Sequence, residues 1–296
     1  MDFTNPLKSF LKHVDILELQ DKIDEFRDLE FKNMSYQDIT NAVSKVINFD
    51  TPDGNRSILT PMTQTYAKGT KFYRVRRLSL DNDSFPINGM STIADCWEPP
   101  EDIVTVSLGR LNKKGESLLY TSPINPLIAI EEMKIKDDEF FSLIEYEAIK
   151  PINVTIIGAR PETKGLNKNE ISKARMIQDF LKHEFVRDVG VGTEYLYQIS
   201  ESITKDYFDL PPDFQDAWCY PSVAKKRAFN VCFRSSKRSK LKLVGVQIAT
   251  LKKTNDGYLV NVRCIATGED KQENLIYHAV GSEVQKSIFP ELRELT

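Results

Sequence analysis

The stretch Leu118-Leu119-Tyr120-Thr121-Ser122-Pro123-Ile124-Asn125-Pro126-Leu127-Ile128-Ala129-Ile130-Glu131-Glu132-Met133 runs from a strand, through a Ser-Pro turn, into a helix over Pro126–Met133. Neighbouring strands are predicted at Ser117–Thr121, Phe140–Glu147, Val154–Gly158, Ala217–Tyr220, Phe229–Phe233, Lys240–Leu251 and Tyr258–Ala266. Further helices are predicted at Asn169–Phe185 and Glu194–Phe208. Helices and strands mix without the regular alternation of a parallel fold, so the expected class is α+β, with a mainly antiparallel sheet and flanking helices.

Upstream, Lys71-Phe72-Tyr73-Arg74-Val75-Arg76-Arg77 alternates apolar and basic side chains as a strand does, and Asp81 to Pro100 reads as a long irregular loop. Before it, Thr51 to Thr70 carries Pro52, Gly54, Pro61 and Gly69 among polar residues, the composition of turns and a linker. Two amphipathic helices precede that. In the first, Ile16, Leu19, Ile23, Phe26 and Leu29 recur at helical spacing; in the second, Ile39, Ala42, Val43, Val46 and Ile47 share a face, with Ser35 placed as cap and Asp38 three residues on. The expected organisation is an N-terminal helical extension and linker over 1–65 and a main domain over 66–296. The helices are too short to hold a core alone and are expected to pack on the main domain or on a partner.

The 296 residues carry 40 Lys and Arg against 43 Asp and Glu, a net charge of −3 that offers no global attraction to nucleic acid or anionic lipid. The basic run Ser235-Ser236-Lys237-Arg238-Ser239-Lys240 lacks interleaved aromatics for base stacking, so it reads as a solvated turn. Cys96, Cys219, Cys232 and Cys264 are widely spaced, as reduced thiols are, and no apolar run reaches a membrane span. A cytoplasmic protein is expected. His13, His183 and His278 are isolated, which argues against a histidine metal site or a Ser-His-Asp triad.

Three segments could carry chemistry. Gly109-Arg110-Leu111-Asn112-Lys113-Lys114-Gly115 is a glycine-bounded basic turn whose arginine fork suits a phosphate, although a solvated hairpin turn has the same composition. Glu131 and Glu132 point about 100° apart on their helix, so at most one faces inward. Trp218-Cys219-Tyr220-Pro221-Ser222 ends a strand with a hydroxyl at its tip, and nothing nearby marks Ser222 as an activated nucleophile.

Taken in order, Phe72-Tyr73-Arg74-Val75-Arg76, Trp97-Glu98-Pro99-Pro100, Gly109-Arg110-Leu111-Asn112, Leu118-Leu119-Tyr120 with its Ser-Pro turn, Ala129 three residues before Glu132, and Tyr220-Pro221-Ser222-Val223 followed by Asn230-Val231 resemble the RES family, over roughly Phe72 to Leu251. The resemblance implies a fold like the ADP-ribosyltransferase toxins and NAD⁺ as substrate, with no metal and no further cofactor. It implies catalytic roles for Glu132, Arg74 and Ser222 and substrate contacts for Arg110, Tyr120, Tyr73 and Asn112. Alignment through Pro126 and Ala129 favours Glu132, whereas counting from Tyr120 favours Glu131.

Cleavage of the nicotinamide–ribose bond would follow, with water or inorganic phosphate as acceptor; the alternatives are ADP-ribosyl transfer to a protein target and a non-catalytic interaction protein. The resemblance also implies a bacterial toxin or defence effector restrained by a helix-turn-helix antitoxin. The N-terminal helices would then serve as cover for an apolar face, an arm for homo-oligomerisation, a built-in regulator or a sensor.

Overall fold

The helical periodicity at the N-terminus forms α1 (Pro6–Leu11), α2 (Ile16–Arg27) and α3 (Tyr36–Ile47) in the computed structural model, which describes residues 6–59, 61–78, 89–101, 108–160, 162–255, 257–268 and 273–292. The elements that follow are β1 (Asn48–Thr51), β2 (Gly54–Ser57), β3 (Met62–Tyr66), β4 (Lys71–Arg77), β5 (Leu118–Pro123), α4 (Pro126–Glu132), β6 (Phe140–Ala148), β7 (Ile152–Ile156), α5 (Lys168–Val186), α6 (Tyr197–Tyr207), β8 (Ala217–Pro221), β9 (Phe229–Arg234), β10 (Leu241–Thr254), β11 (Gly257–Thr267), β12 (Ile276–Ala279) and α7 (Glu283–Ile288). The chain is mixed α and β, with a large, mostly antiparallel sheet flanked by helices. Its residues gather into two compact units: Met1–Gln64, Asp102–Glu116 and Val154–Val223 form the first, and Thr65–Glu101, Ser117–Asn153 and Ala224–Thr296 the second.

In the first unit the N-terminal helices do not stand apart. Ser35 caps α3 in a reciprocal box with Asp38, as the sequence predicts, and α3 buries Ile39, Val43, Val46 and Ile47. Thr40 on α3 meets Ser202 on α6 at 3.2 Å, the Phe26 ring of α2 lies edge-on to Phe180 of α5 at 5.2 Å, and Lys173 of α5 donates to the Leu11 carbonyl at 3.0 Å. Each fully buried apolar side chain contributes roughly 1.5–3 kcal/mol, so this face alone accounts for the amphipathic pattern of α2 and α3.

In the second unit the strands run β12-β11-β10-β6-β4-β5-β9, and each neighbouring pair is antiparallel. One face of β4 and β6 packs Tyr73, Val75, Phe141 and Leu143 against Ala129 and Ile130 of α4. On the other face Phe72 is fully buried, edge-on to Phe233 at 5.0 Å and to Tyr66 at 5.5 Å.

One reading needs correction. The stretch Thr51–Thr70, expected to be linker, contains β2 and β3; both strands are almost wholly exposed and polar, so they lack the apolar alternation by which strands are recognised. Gly54, at φ +100°, closes the β1–β2 hairpin after Pro52-Asp53, a turn signal that was present in the sequence. Of the loop predicted over Asp81–Pro100, residues 81–88 lie outside the described residues. The remainder holds a 3₁₀ turn, Ile93–Cys96, capped by Thr92 and Asp95.

Between β5 and α4 sits Ile124, a β-branched residue at φ +67° with 69% of its surface exposed. Its N–H donates to the Lys71 carbonyl at 2.9 Å, which holds the backbone there, while no apolar burial offsets the steric strain. Ile124→Asn, which tolerates this conformation, is expected to stabilise the protein by about 1 kcal/mol in denaturant unfolding.

Candidate active site

Glu132 is the last residue of α4, and three features of the second unit fix it. First, α4 is short but held at both ends: Asn125 accepts from the Leu127 N–H at 3.0 Å, and Arg77 donates through Nη2 to the carbonyls of Met133 (2.6 Å) and Lys134 (3.0 Å). A guanidinium on the last carbonyls of a helix satisfies them and opposes their negative field. Second, Asn230 on β9 donates from Nδ2 to Glu132 Oε1 at 2.8 Å. Third, the Ala224 N–H points at the same oxygen at 3.4 Å. Glu131 is half-buried one position earlier, and Glu132 is the carboxylate that takes these two donors.

A carboxylate at the C-terminal end of a helix stands against the helix field, an arrangement disfavoured by about 0.3–1 kcal/mol. Asn230 and Ala224 offset that cost. Behind Asn230, the buried Ser122 of β5 donates its hydroxyl to Asn230 Oδ1 at 2.7 Å.

The pleat of the sheet sorts the remaining expected residues of this unit. Tyr73 pairs with Ser122 in the β4–β5 register, so the two point to the α4 face, and Tyr120, two residues from Ser122, points there as well. Tyr120 is half-buried; Tyr73 is buried, and burial, with Glu145 nearby, pushes its hydroxyl up to about 12, so it stays protonated at neutral pH. Arg74 lies on the opposite face, where its Nη1 donates to the Trp97 carbonyl. There Tyr146 donates to the Cys96 carbonyl, Trp97 lies 5.0 Å from the Tyr146 ring, and the Arg238 guanidinium stacks on Trp97 at 4.1 Å. Arg74 thus clamps the Trp97-Glu98-Pro99-Pro100 segment to the sheet.

In the first unit, Arg110 donates through Nη1 to the Phe185 carbonyl (2.6 Å) and through Nη2 to the Arg187 carbonyl (2.8 Å), closing the C-terminal end of α5. The turn it belongs to is braced: Ser200 of α6 donates to the Arg110 carbonyl at 2.8 Å, Lys205 meets Glu116 at 2.5 Å, and Lys113 lies 3.9 Å from the buried Glu201. Burial raises the Glu201 carboxyl, and its hydrogen bond with Tyr36 of α3 holds it down in part. Asn112 is buried and donates to the Lys113 carbonyl at 3.2 Å, and Ser222 is buried just beyond β8. A cavity of about 200 Å³ in this unit is lined by Leu7, Ile58, Ile156, Ala174, Ile177 and Phe208 among others, and by none of the residues singled out from the sequence.

Ser122, Ala224 and Asn230 were not expected as site residues. One signal was available: Asn230 is a poor strand former near the start of the apolar β9 run, where a buried amide needs a polar partner. Among the described residues no group of three or more His, Cys, Asp and Glu side chains could hold a metal ion, and no helix is long and apolar enough to cross a membrane. All four cysteines are buried. No protein-family model matches the chain, and no curated protein matches it.

Proposed function

We propose that the chain is an NAD⁺-consuming enzyme that breaks the nicotinamide–ribose bond, with an ADP-ribosyltransferase-like second unit. The observation that carries this reading is the Glu132 carboxylate, set against its helix field and held by Asn230 and Ala224. In NAD⁺ the leaving group is already a cationic pyridinium, so departure needs little acid assistance. The barrier lies in the oxocarbenium-like ribose, and a fixed carboxylate beside it stabilises the charge as it develops. Tyr120, on the Ser122 face, supplies an aromatic surface for the nicotinamide ring.

The loop Ala224-Lys225-Lys226-Arg227 is exposed, and its first residue is the one that donates to Glu132. Cations beside a centre that gains positive charge would raise the barrier unless an anion lies among them. We therefore assign this loop to the substrate pyrophosphate or to inorganic phosphate as acceptor, while Arg74 and Arg110 hold the backbone segments they cap. In a bacterial cell such an activity would act as a toxin or defence effector, and a helix-turn-helix antitoxin that covers the Glu132 site would restrain it.

The acceptor is read by incubating the purified protein with NAD⁺ in phosphate-free buffer and again with millimolar phosphate, separating the products by chromatography. Phosphate-dependent release of nicotinamide identifies a phosphorylase, and phosphate-independent release a glycohydrolase. Nicotinamide release only when a second protein is added, with label on that protein, identifies a transferase. No release under any of these conditions contradicts the proposal.

A further inference from the structure

We propose that Ser122 and Asn230 form a positioning relay for Glu132, in which the acceptor oxygen of the carboxylate selects the orientation of the asparagine amide, the serine hydroxyl reinforces that orientation, and the amide in turn holds the carboxylate in place. The role in turnover rests on the NAD⁺ reading; the relay itself does not.

An amide side chain has a donor end and an acceptor end, and a half-turn exchanges them. Asn230 is 4% exposed and Ser122 2%, so solvent does not stand in for a wrong orientation. The two contacts lie on opposite ends of the amide: Oδ1 receives the Ser122 hydroxyl at 2.7 Å, and Nδ2 donates to Glu132 Oε1 at 2.8 Å. If the amide turned over, Oδ1 would face the carboxylate oxygen and two acceptors would meet inside the protein. A serine hydroxyl can donate or accept, so Ser122 alone would tolerate either orientation, whereas an ionised carboxylate only accepts. The ionised Glu132 therefore selects the amide orientation, and Ser122, by donating to Oδ1, reinforces it. The backbone supports the chain of contacts: β5 and β9 pair in antiparallel register from Leu118↔Arg234 to Thr121↔Val231, which brings Ser122 and Asn230 abreast at the end of the ladder.

Three consequences separate a positioning relay from ordinary packing. Asn230→Ala should lower kcat by about 10²-fold with the KM for NAD⁺ within about twofold, because a carboxylate free to leave its rotamer loses transition-state rather than ground-state contact. Asn230→Asp should lower it further and move the acid limb of the pH–rate profile to higher pH, since two carboxylates sharing a site cannot both ionise freely. Ser122→Ala should cost roughly tenfold alone and nothing more in the Asn230→Ala background, because its effect passes through Asn230.

The relay is also read without turnover. In ¹H–¹⁵N spectra of the full chain without NAD⁺, the Asn230 side-chain amide protons should shift in Glu132→Gln and in Ser122→Ala. Shifts in both variants, together with the kcat-selective loss, support the proposal. An Asn230 amide unmoved in both overturns the relay whether or not the protein consumes NAD⁺. Amide shifts in a protein that releases no nicotinamide leave the relay standing and overturn the NAD⁺ reading. Additive losses in the Ser122/Asn230 double variant, or a loss confined to KM, overturn its positioning role.

Discussion

Glu132→Gln lowers kcat for nicotinamide release by about 10³-fold and leaves the unfolding transition where it was, if the carboxylate at the end of α4 stabilises the ribose cation. The substitution removes the charge and nearly keeps the shape. Glutamine Oε1 still accepts from Asn230 Nδ2, so the contact at 2.8 Å survives while the negative charge does not. The charge is what a developing cation interacts with, and the rate therefore falls where the fold does not. Glu131→Gln is the paired control: it lacks the Asn230 and Ala224 donors and is expected to stay within about twofold of the parent. Steady-state kinetics on the two variants, with circular dichroism to check folding, distinguishes the neighbours. A Glu131 variant that is inactive beside an active Glu132 variant would reverse the assignment.

Phe72→Ala should be strongly destabilising, costing about 3–5 kcal/mol. The ring is fully buried on the face of β4 opposite α4, edge-on to Tyr66 of the preceding strand and to Phe233 of β9, which is distant in sequence. Alanine leaves a cavity walled by rigid β-strands, which collapse poorly around a void. A melting temperature lower by roughly 10 °C or more is the expected readout. A drop of only a degree or two would mean that β4 is not held from this face, and the alignment of Tyr73 with Ser122 would need another explanation.

Much of this architecture was legible in the sequence, for identifiable reasons. The strand at Lys71–Arg77 and the helices at Tyr36–Ile47 and Lys168–Val186 show a strong period, and Ser35 with Asp38 marks a helix start unambiguously. Elements that bury little were missed: β2 and β3 are almost wholly exposed, and β12 is four residues long. At the candidate site, Glu132 is singled out by the resemblance, whereas the contacts that hold it are not legible from the sequence. Asn230 lies 98 residues away and Ser122 108 residues from Asn230, separations at which only the register of β5 with β9 brings side chains together. The placement of Tyr73 and Arg74 on opposite faces follows from their adjacency in a strand, a consequence of the period-2 pleat that their shared motif obscures.

The most direct test of the central claim is a mass balance. The purified protein is incubated with NAD⁺, and NAD⁺, nicotinamide and nicotinamide mononucleotide are quantified over time by chromatography. Cleavage at the nicotinamide–ribose bond predicts one nicotinamide formed for each NAD⁺ lost, at a rate about 10³-fold lower for the Glu132→Gln protein. Unchanged NAD⁺, or its conversion to nicotinamide mononucleotide by cleavage of the pyrophosphate instead, would contradict it.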